Sequence, residues 1–179
     1  MNKLPIKVKF ILSGLAVLSA AITAPASWAD NNCTPYTAVF RLEGISPFGP
    51  LNGGGIYNIG GQAPQLAQIA AVLKDSASFD PASPVVEITF SDMVIFAPGA
   101  DGSLNILTAV DKATGTATGP GIFESTTKSR ITGGVGLYKD VTGKARSTTK
   151  TTVDLATGYT VADVNVEGTI CGIGEAGND

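Results

Sequence analysis

The amino-acid sequence predicts an all-β protein, a closed antiparallel barrel with one short helix. Segments in which apolar and polar residues alternate recur along the chain, separated by turns rich in glycine and proline, and this pattern is typical of antiparallel sheets. Residues 130–143 contain four glycines, too many for a regular helix or a central strand. Cys33 and Cys171 lie near the two ends of the predicted mature chain, and a closed barrel brings its first and last strands together.

Residues 1–29 have the features of a signal peptide. Three lysines precede an apolar run at residues 10–24, which is short for a membrane span, and small residues then fit cleavage after Ala29. Cleavage within residues 24–26 and an uncleaved anchor are the alternatives. We therefore expect a cleaved leader and a single β-barrel domain at residues 30–179, secreted or periplasmic in a bacterium.

The net charge of the chain limits the classes of partner that the protein is expected to bind. The leader contains three lysines and no acid, so its removal changes the formal charge from −3 to −6. An acidic chain is unsuited to nucleic acid or to an anionic membrane surface, so neither is expected as a partner. The cations of the second half are separated by acids and hydroxyl residues, as on a solvated outer barrel face: Lys128, Arg130, Lys139, Lys144, Arg146 and Lys150. The sequence leaves the oligomeric state open.

The N-terminal half contains one clear strand and one helical candidate. Alternation predicts a strand at residues 36–44 and, after it, a loop at residues 45–55 that is rich in proline and glycine. Residues 62–75 favour a helix, because Pro64 suits a first helical turn and apolar residues recur at helical spacing. A turn at residues 79–84 ends it.

Residues 85–96 form the strongest predicted strand. Its apolar residues share one face: Val86, Ile88, Phe90, Val94 and Phe96. Asp92 has the same parity, so either a β-bulge shifts the register there or the carboxylate points inward.

The remaining segments predict a meander of strands joined by turns. A turn at 97–103 precedes a strand at 104–110, which has Leu104, Ile106 and Val110 on one face. A turn at 111–115, which includes Asp111, leads into an extended segment at 116–132. Strands at 145–153 and 159–170 are joined by a hairpin at 154–158, and residues 172–179 form a frayed tail.

A glycine motif, I-T-G-G-V-G-L-Y-K-D-V-T-G, occupies residues 131–143. Its glycines are Gly133, Gly134, Gly136 and Gly143. The first two are expected to end the preceding strand, and residues 137–141 to form one tight helical turn or a loop. The motif lacks the G-K-S/T ending of a phosphate-binding loop, so a structural hinge is predicted.

This motif resembles that of the allene oxide cyclase and dirigent-like β-barrel proteins, I-T-G-G-T/S-G-x-F/Y-x-x-x-x-G. The preceding G-T-A-T-G-P-G-I-F at residues 115–123 is similar to the strand that enters the motif in bacterial members. The resemblance covers roughly residues 104–171, and residues 36–94 depart from the pattern. It implies a barrel of about eight strands, which in some members encloses an apolar pocket for a hydrophobic or phenolic molecule.

The two cysteines predict a disulfide, because Cys33 and Cys171 would both meet an oxidising compartment after export. Two free thiols or an intermolecular bridge are the alternatives. A Cys33–Cys171 bridge would place the first and last strands side by side.

The chain has no histidine, which removes Ser-His-Asp and Cys-His catalysis and His-ligated metals; no metal or cofactor is predicted. Carboxylates remain as general acids or bases. Asp92 is a candidate because its apolar neighbours predict burial, and Glu43 because it precedes Ser46-Pro47, in the region where the resembling cyclases carry a functional glutamate and a proline. The candidate ligand-binding residues are Arg41, Phe90, Glu124 and Tyr138.

Three functions fit the sequence. The first is a secreted barrel that binds a small hydrophobic ligand or has a structural role. The second is an isomerase or cyclase without metal or cofactor, and the third is a surface or assembly protein. A cavity of several hundred Å³ beside Asp92 or Glu43 would favour the first two, and a solid interior the third or a purely structural role.

Overall fold

The computed structural model describes residues 32–46, 49–74, 78–79, 85–98 and 102–173. The predicted signal peptide, residues 80–84 and 99–101 of two predicted turns, and residues 174–179 lie outside these ranges. The elements are β1 (Cys33–Gly44), β2 (Leu51–Ile59), β3 (Gln65–Leu73), β4 (Ser78–Phe79), β5 (Val85–Phe96), β6 (Asn105–Gly119), β7 (Ile122–Val135), a 3₁₀ turn (Gly136–Tyr138), β8 (Thr142–Val153) and β9 (Thr160–Cys171).

Eight of these strands form a closed antiparallel barrel, which confirms the predicted fold class. Each long strand pairs with its neighbours along the chain, β3 pairs with β5, and β1 pairs with β9. The two-residue strand β4 also pairs with β5, beyond the end of β3. A meander of this kind has no crossover connection, so short turns are sufficient between its strands.

Strand alternation separates the core from the surface. In β1, Tyr36, Ala38, Phe40 and Leu42 are buried, and the residues between them are exposed. The interior is filled mainly by such apolar side chains from seven of the eight strands, and β8 contributes the buried Ala145. Each large apolar side chain that is fully buried contributes about 1.5–3 kcal/mol to the free energy of folding, so the inward rows provide most of the stability.

The predicted helix at residues 62–75 is wrong, because residues 65–73 form strand β3. Ala67, Ile69 and Ala71 face the core, whereas Leu66 is exposed on the outer surface. β3 pairs with β2 on one side and with β5 on the other, so a helix here would leave two open sheet edges. Pairing with strands on both sides therefore determines the conformation of this segment, although its apolar residues recur at helical spacing.

The predicted loop at residues 45–55 is also partly wrong, because β2 begins at Leu51. Its glycines allow β1 to approach closely. A Cβ atom on Gly53 would lie 1.8 Å from the backbone oxygen of Arg41, and one on Gly55 would lie 1.9 Å from that of Val39. These glycines are therefore strand residues at a close backbone contact.

Strand β6 runs without a break through residues 111–115, where a turn was predicted. Its buried face contains Asn105, Leu107, Asp111 and Ala113, the parity opposite to the one that the sequence favoured. Opposite it, Gly133 and Gly134 belong to β7, so they do not end the strand. The pairing shifts by one residue between Thr108 and Ala109, as at a β-bulge.

The 3₁₀ turn confirms the short helical turn expected in the glycine motif. It buries Tyr138, whose ring centroid lies 4.6 Å from that of Phe96. The side-chain oxygen of Asn105 accepts a hydrogen bond of 3.1 Å from the Leu137 amide. Gly136 has a φ of +66°, and a Cβ atom there would lie 2.3 Å from the Leu104 carbonyl oxygen. The motif thus folds Tyr138 into the apolar core of the barrel.

Cys33 and Cys171 form a disulfide, as predicted. They are direct partners in the β1–β9 register, so the bridge joins the first strand to the last. A disulfide is consistent with an oxidising compartment. Among the described residues, no helix is long and apolar enough to cross a membrane.

Replacing both cysteines, Cys33→Ser with Cys171→Ser, should lower the free energy of unfolding. The bridge spans a sequence separation of 138 residues, for which the chain-entropy model gives an upper limit of about 5 kcal/mol. Urea denaturation of the non-reduced wild type and of the double variant measures the difference. Equal unfolding midpoints would contradict a stabilising role for the bridge.

Gly55→Ala should destabilise the barrel by about 2–3 kcal/mol, because its Cβ atom would overlap the backbone of β1. The neighbouring Gly54→Ala is the matched control. Its Cβ atom would lie 3.4 Å from the nearest atom, an ordinary contact distance, and thermal unfolding should show little change. Similar losses in the two variants would contradict a close backbone contact that is specific to Gly55.

Candidate functional site

A small cavity of about 50 Å³ lies inside the barrel. It is far smaller than the several hundred Å³ of a typical ligand pocket, so the size of the cavity does not by itself favour a ligand-binding or catalytic barrel. One part of its wall is apolar and includes Phe40, Ile69, Val94, Leu107, Val164 and Val166. Another part is polar and consists of Asp92, Asp111, Ser129 and Ser147. The cavity therefore combines hydrogen-bonding groups with an apolar surface.

Asp92 points into this cavity, which decides between the two alternatives that the sequence left open. The pairing of β5 with β3 and with β6 is continuous through Asp92, with no bulge. Its direct partners are Ala71 on β3 and Ala109 on β6. These two small side chains leave space for a carboxyl group at a position where the rest of the row is apolar.

Asp111 faces the same cavity from the adjacent strand β6. It lies two residues beyond Ala109, the direct partner of Asp92, so the two aspartates are diagonal neighbours on one face of the sheet. Their carboxyl groups share a hydrogen bond, and Asp111 has a second one with Ser129. The Oδ1 atom of each aspartate is buried without a hydrogen-bond partner among the described residues.

Burial raises the pKa of Asp92 well above its usual value, and the adjacent Asp111 charge and hydrogen bond raise it further. Burial also raises the pKa of Asp111, although its hydrogen bonds with Asp92 and Ser129 act in the opposite direction. None of the described residues that line the cavity is cationic. Ionisation of both carboxyl groups of such a pair is disfavoured, so the pair retains a proton to a higher pH than two separate aspartates would, and in that state it has both a donor and acceptors.

Tyr36 also lines the cavity. Burial raises the pKa of its hydroxyl, and the nearby Tyr138 and Asp92 raise it further. The hydroxyl is therefore neutral at physiological pH and supplies one proton donor. Together, the two carboxyl groups, two serines and this tyrosine form the polar groups of the site.

Two other predicted site residues lie inside the barrel but do not line the cavity. Phe90 is partly buried and is the direct partner of Asp111. Tyr138 packs against Phe96 in the core.

The remaining three predicted residues lie on the outer surface, because their strand parity directs them away from the core. Glu43 accepts a hydrogen bond of 2.6 Å from the Tyr159 hydroxyl, and this bond, followed by the one from Arg41, lowers its pKa. Arg41 bridges Glu43 at 3.4 Å and Asp163 at 3.3 Å. Glu124 is exposed. These residues therefore have no part in an interior site.

The sequence missed Asp111 because it was assigned to a turn. The available signal was the alternation of Leu107, Ala109, Asp111 and Ala113, in which the aspartate interrupts a row of apolar and small residues just as Asp92 does. Ser129 gave no comparable signal, since hydroxyl residues occupy both faces of β7.

Among the described residues, no group of three or more His, Cys, Asp or Glu side chains is placed to hold a metal ion. Comparison of the chain with protein-family models, with curated proteins and with solved structures found no match. The polar groups that line the cavity are carboxyl and hydroxyl groups, which can form hydrogen bonds and transfer protons.

The buried carboxyl pair should make the stability depend on pH. The pKa of Asp92 is raised in the folded state, so protonated Asp92 makes its full contribution to stability below the ordinary aspartate pKa of about 3.9. That contribution is lost as the pH rises through the elevated pKa. Asp92→Asn should therefore gain stability relative to the wild type between pH 4 and pH 8, by roughly 1 kcal/mol or more.

Urea denaturation at several pH values in this range measures that gain. Glu124→Gln, which removes an exposed carboxylate from the outer surface, is the control and should follow the wild type. A difference between the wild type and Asp92→Asn that is constant over the whole range would contradict a raised pKa at this site.

Proposed function

We propose that this protein is an exported barrel that binds a small ligand at the inner carboxyl pair. The observation that carries the proposal is that Asp92 and Asp111 each bury an unpartnered oxygen beside a cavity. A buried polar atom without a partner costs about 1–3 kcal/mol. Two such atoms in the core therefore indicate a function, and hydrogen bonds from a bound molecule would satisfy both.

The composition of the cavity wall specifies the ligand chemistry. The protonated pair and the hydroxyls offer donors and acceptors but no positive charge, so a hydroxyl-bearing group fits better than an anion. The opposite wall, with Phe40 and Val164, favours an apolar body. We therefore assign the ligand to small alcohols or phenols, in agreement with the molecules that the resemblance to allene oxide cyclase-like barrels implies.

The volume of the cavity limits what can be fully enclosed. About 50 Å³ holds roughly three to five water-sized groups. The hydroxyl end of the ligand and its first carbon atoms would occupy this space. A larger body would have to extend along the barrel interior, where Val164, Val166 and Phe90 are only partly buried.

Acid–base catalysis is a second candidate, because two carboxyl groups that share one proton form a general acid–base pair. In this function, one aspartate would donate a proton to the substrate while the other accepted one, as an isomerase or cyclase requires. The export of the protein is inferred from the predicted leader and is supported by the disulfide.

Phenol should bind the wild type more tightly than toluene, which has a methyl group in place of the hydroxyl. The expected difference is about tenfold, the value of one hydrogen bond to a buried charged or polar group. Asp92→Asn and Asp111→Asn should each reduce this preference, and Glu124→Gln should not. Ligand-observed NMR titration measures all four proteins.

Equal affinities of the wild type for phenol and toluene would contradict the proposed role of the carboxyl pair. To separate binding from catalysis, the same samples can be incubated with cyclohexanone in D₂O. Deuterium exchange at the α-carbon that is faster with the wild type than with Asp92→Asn would favour the acid–base function over simple binding.

A further inference from the structure

Five cationic side chains form a compact cluster on the outer face of β6, β7 and β8. We call it the basic array: Lys112 on β6, Lys128 and Arg130 on β7, and Lys144 and Arg146 on β8. Lys112 lies directly opposite Lys128, and Lys128 directly opposite Arg146. Arg130 is the direct partner of Lys144. All five side chains are exposed.

The sequence hides this cluster because the cations alternate with uncharged residues. Ser129 separates Lys128 from Arg130, and Ala145 separates Lys144 from Arg146. Both spacers point into the barrel, where they line the cavity. The residues that separate the cations in the sequence therefore do not separate them on the outer face, where the cations are nearest neighbours.

The spacing of a β-sheet sets the dimensions of the array. Adjacent strands lie about 4.8 Å apart and alternate residues of a strand about 6.8 Å apart, so the five charges occupy roughly 10 by 7 Å. Glu167, the partner of Arg146, borders the array on β9. None of the five cations forms an ion pair with an acidic side chain among the described residues.

The array lowers the stability of the sheet, since like charges at directly opposed positions repel each other. Lys112, Lys128 and Arg146 form an uninterrupted row of such positions. The outward positions of a barrel tolerate uncharged residues, as the adjacent row of Thr114, Thr126 and Thr148 demonstrates. Because uncharged residues are tolerated at such positions, a row of cations that repel one another indicates that a partner neutralises this surface.

We propose that the basic array binds a sulfated polysaccharide chain. Arginine and lysine are the residues that recognise sulfate and phosphate oxygens, and the neighbouring threonine row offers hydroxyl groups to the sugar. This surface lies on the outside of the barrel, so the inference does not depend on the function proposed for the cavity.

Other polyanions fit the array less well. The residues that directly partner the array on its borders are Thr89, Val110, Thr169 and Glu167. None of these four has an aromatic side chain on which the bases of a single-stranded nucleic acid would stack, and one valine provides little apolar area to anchor in a membrane. The chain as a whole carries a formal charge of −3, which opposes a broad anionic surface. A narrow polysaccharide would meet the array alone, within a Debye length of about 8 Å.

A short heparin oligosaccharide serves as the probe. The wild type should bind it with an affinity that falls steeply as the NaCl concentration rises. The triple variant Lys112→Gln, Lys128→Gln, Arg146→Gln should bind it at least about tenfold more weakly and with a shallower salt dependence, by about one unit of slope for each cation removed. Isothermal titration calorimetry at several salt concentrations measures both quantities.

The matched control is Lys74→Gln, Lys139→Gln, Lys150→Gln, which removes three exposed cations outside the array. It changes the net charge by the same amount and should keep the affinity and salt slope of the wild type. Thermal unfolding checks that both triple variants fold. Equal losses in the two variants would assign the binding to net charge and overturn the proposal.

Three further results would also overturn it: no heparin binding by the wild type, tighter binding of vesicles that contain anionic phosphatidylglycerol, or tighter binding of a single-stranded oligodeoxynucleotide at the same salt concentration. Binding of uncharged dextran with equal affinity would likewise exclude recognition by charge. Preference for heparin over these probes, lost only in the array variant, is the supporting result.

Discussion

The pairing of β3 with β5 is the constraint on which the rest of this structure depends. Seven residues of β3 pair with β5, and this pairing converts a meander with two open edges into a ring. Closure gives every strand one inner and one outer face, so the parity of each residue decides its environment. Asp111 and Lys112 are adjacent in the chain, yet closure places one in the core and the other in the basic array.

Sequence reasoning reached the features that depend on composition and alternation. The closed all-β barrel, the Cys33–Cys171 pairing and the inward alternative for Asp92 all follow from patterns that a reader can see. Strand β3 was missed because Ala and Leu residues satisfy a helical and a strand period equally well, and only its partners on both sides decide. Asp111 was missed for a related reason: a glycine and an aspartate predict a turn unless the neighbouring strand holds them extended.

The inner and the outer polar clusters became visible only when the register was known. Asp92 and Asp111 lie nineteen residues apart in the chain, and it is the diagonal relation between β5 and β6 that brings their carboxyl groups together. Likewise, Lys112 and Arg146 meet Lys128 through two separate strand pairings. Register depends on turn geometry and on the packing of the whole core, and a one-residue shift would have dispersed both clusters.

Both clusters work against folding, which is the strongest reason to regard them as functional. A carboxyl pair in an apolar core and a row of like charges on one sheet face each raise the free energy of the native state. Stability that offsets such costs comes from the apolar rows of the barrel and from the bridge between its first and last strands. The carboxyl pair lies on the inner face of β5 and β6, and the basic array lies on the outer face of β6, β7 and β8. Strand β6 carries both, because Asp111 points inward and the adjacent Lys112 points outward.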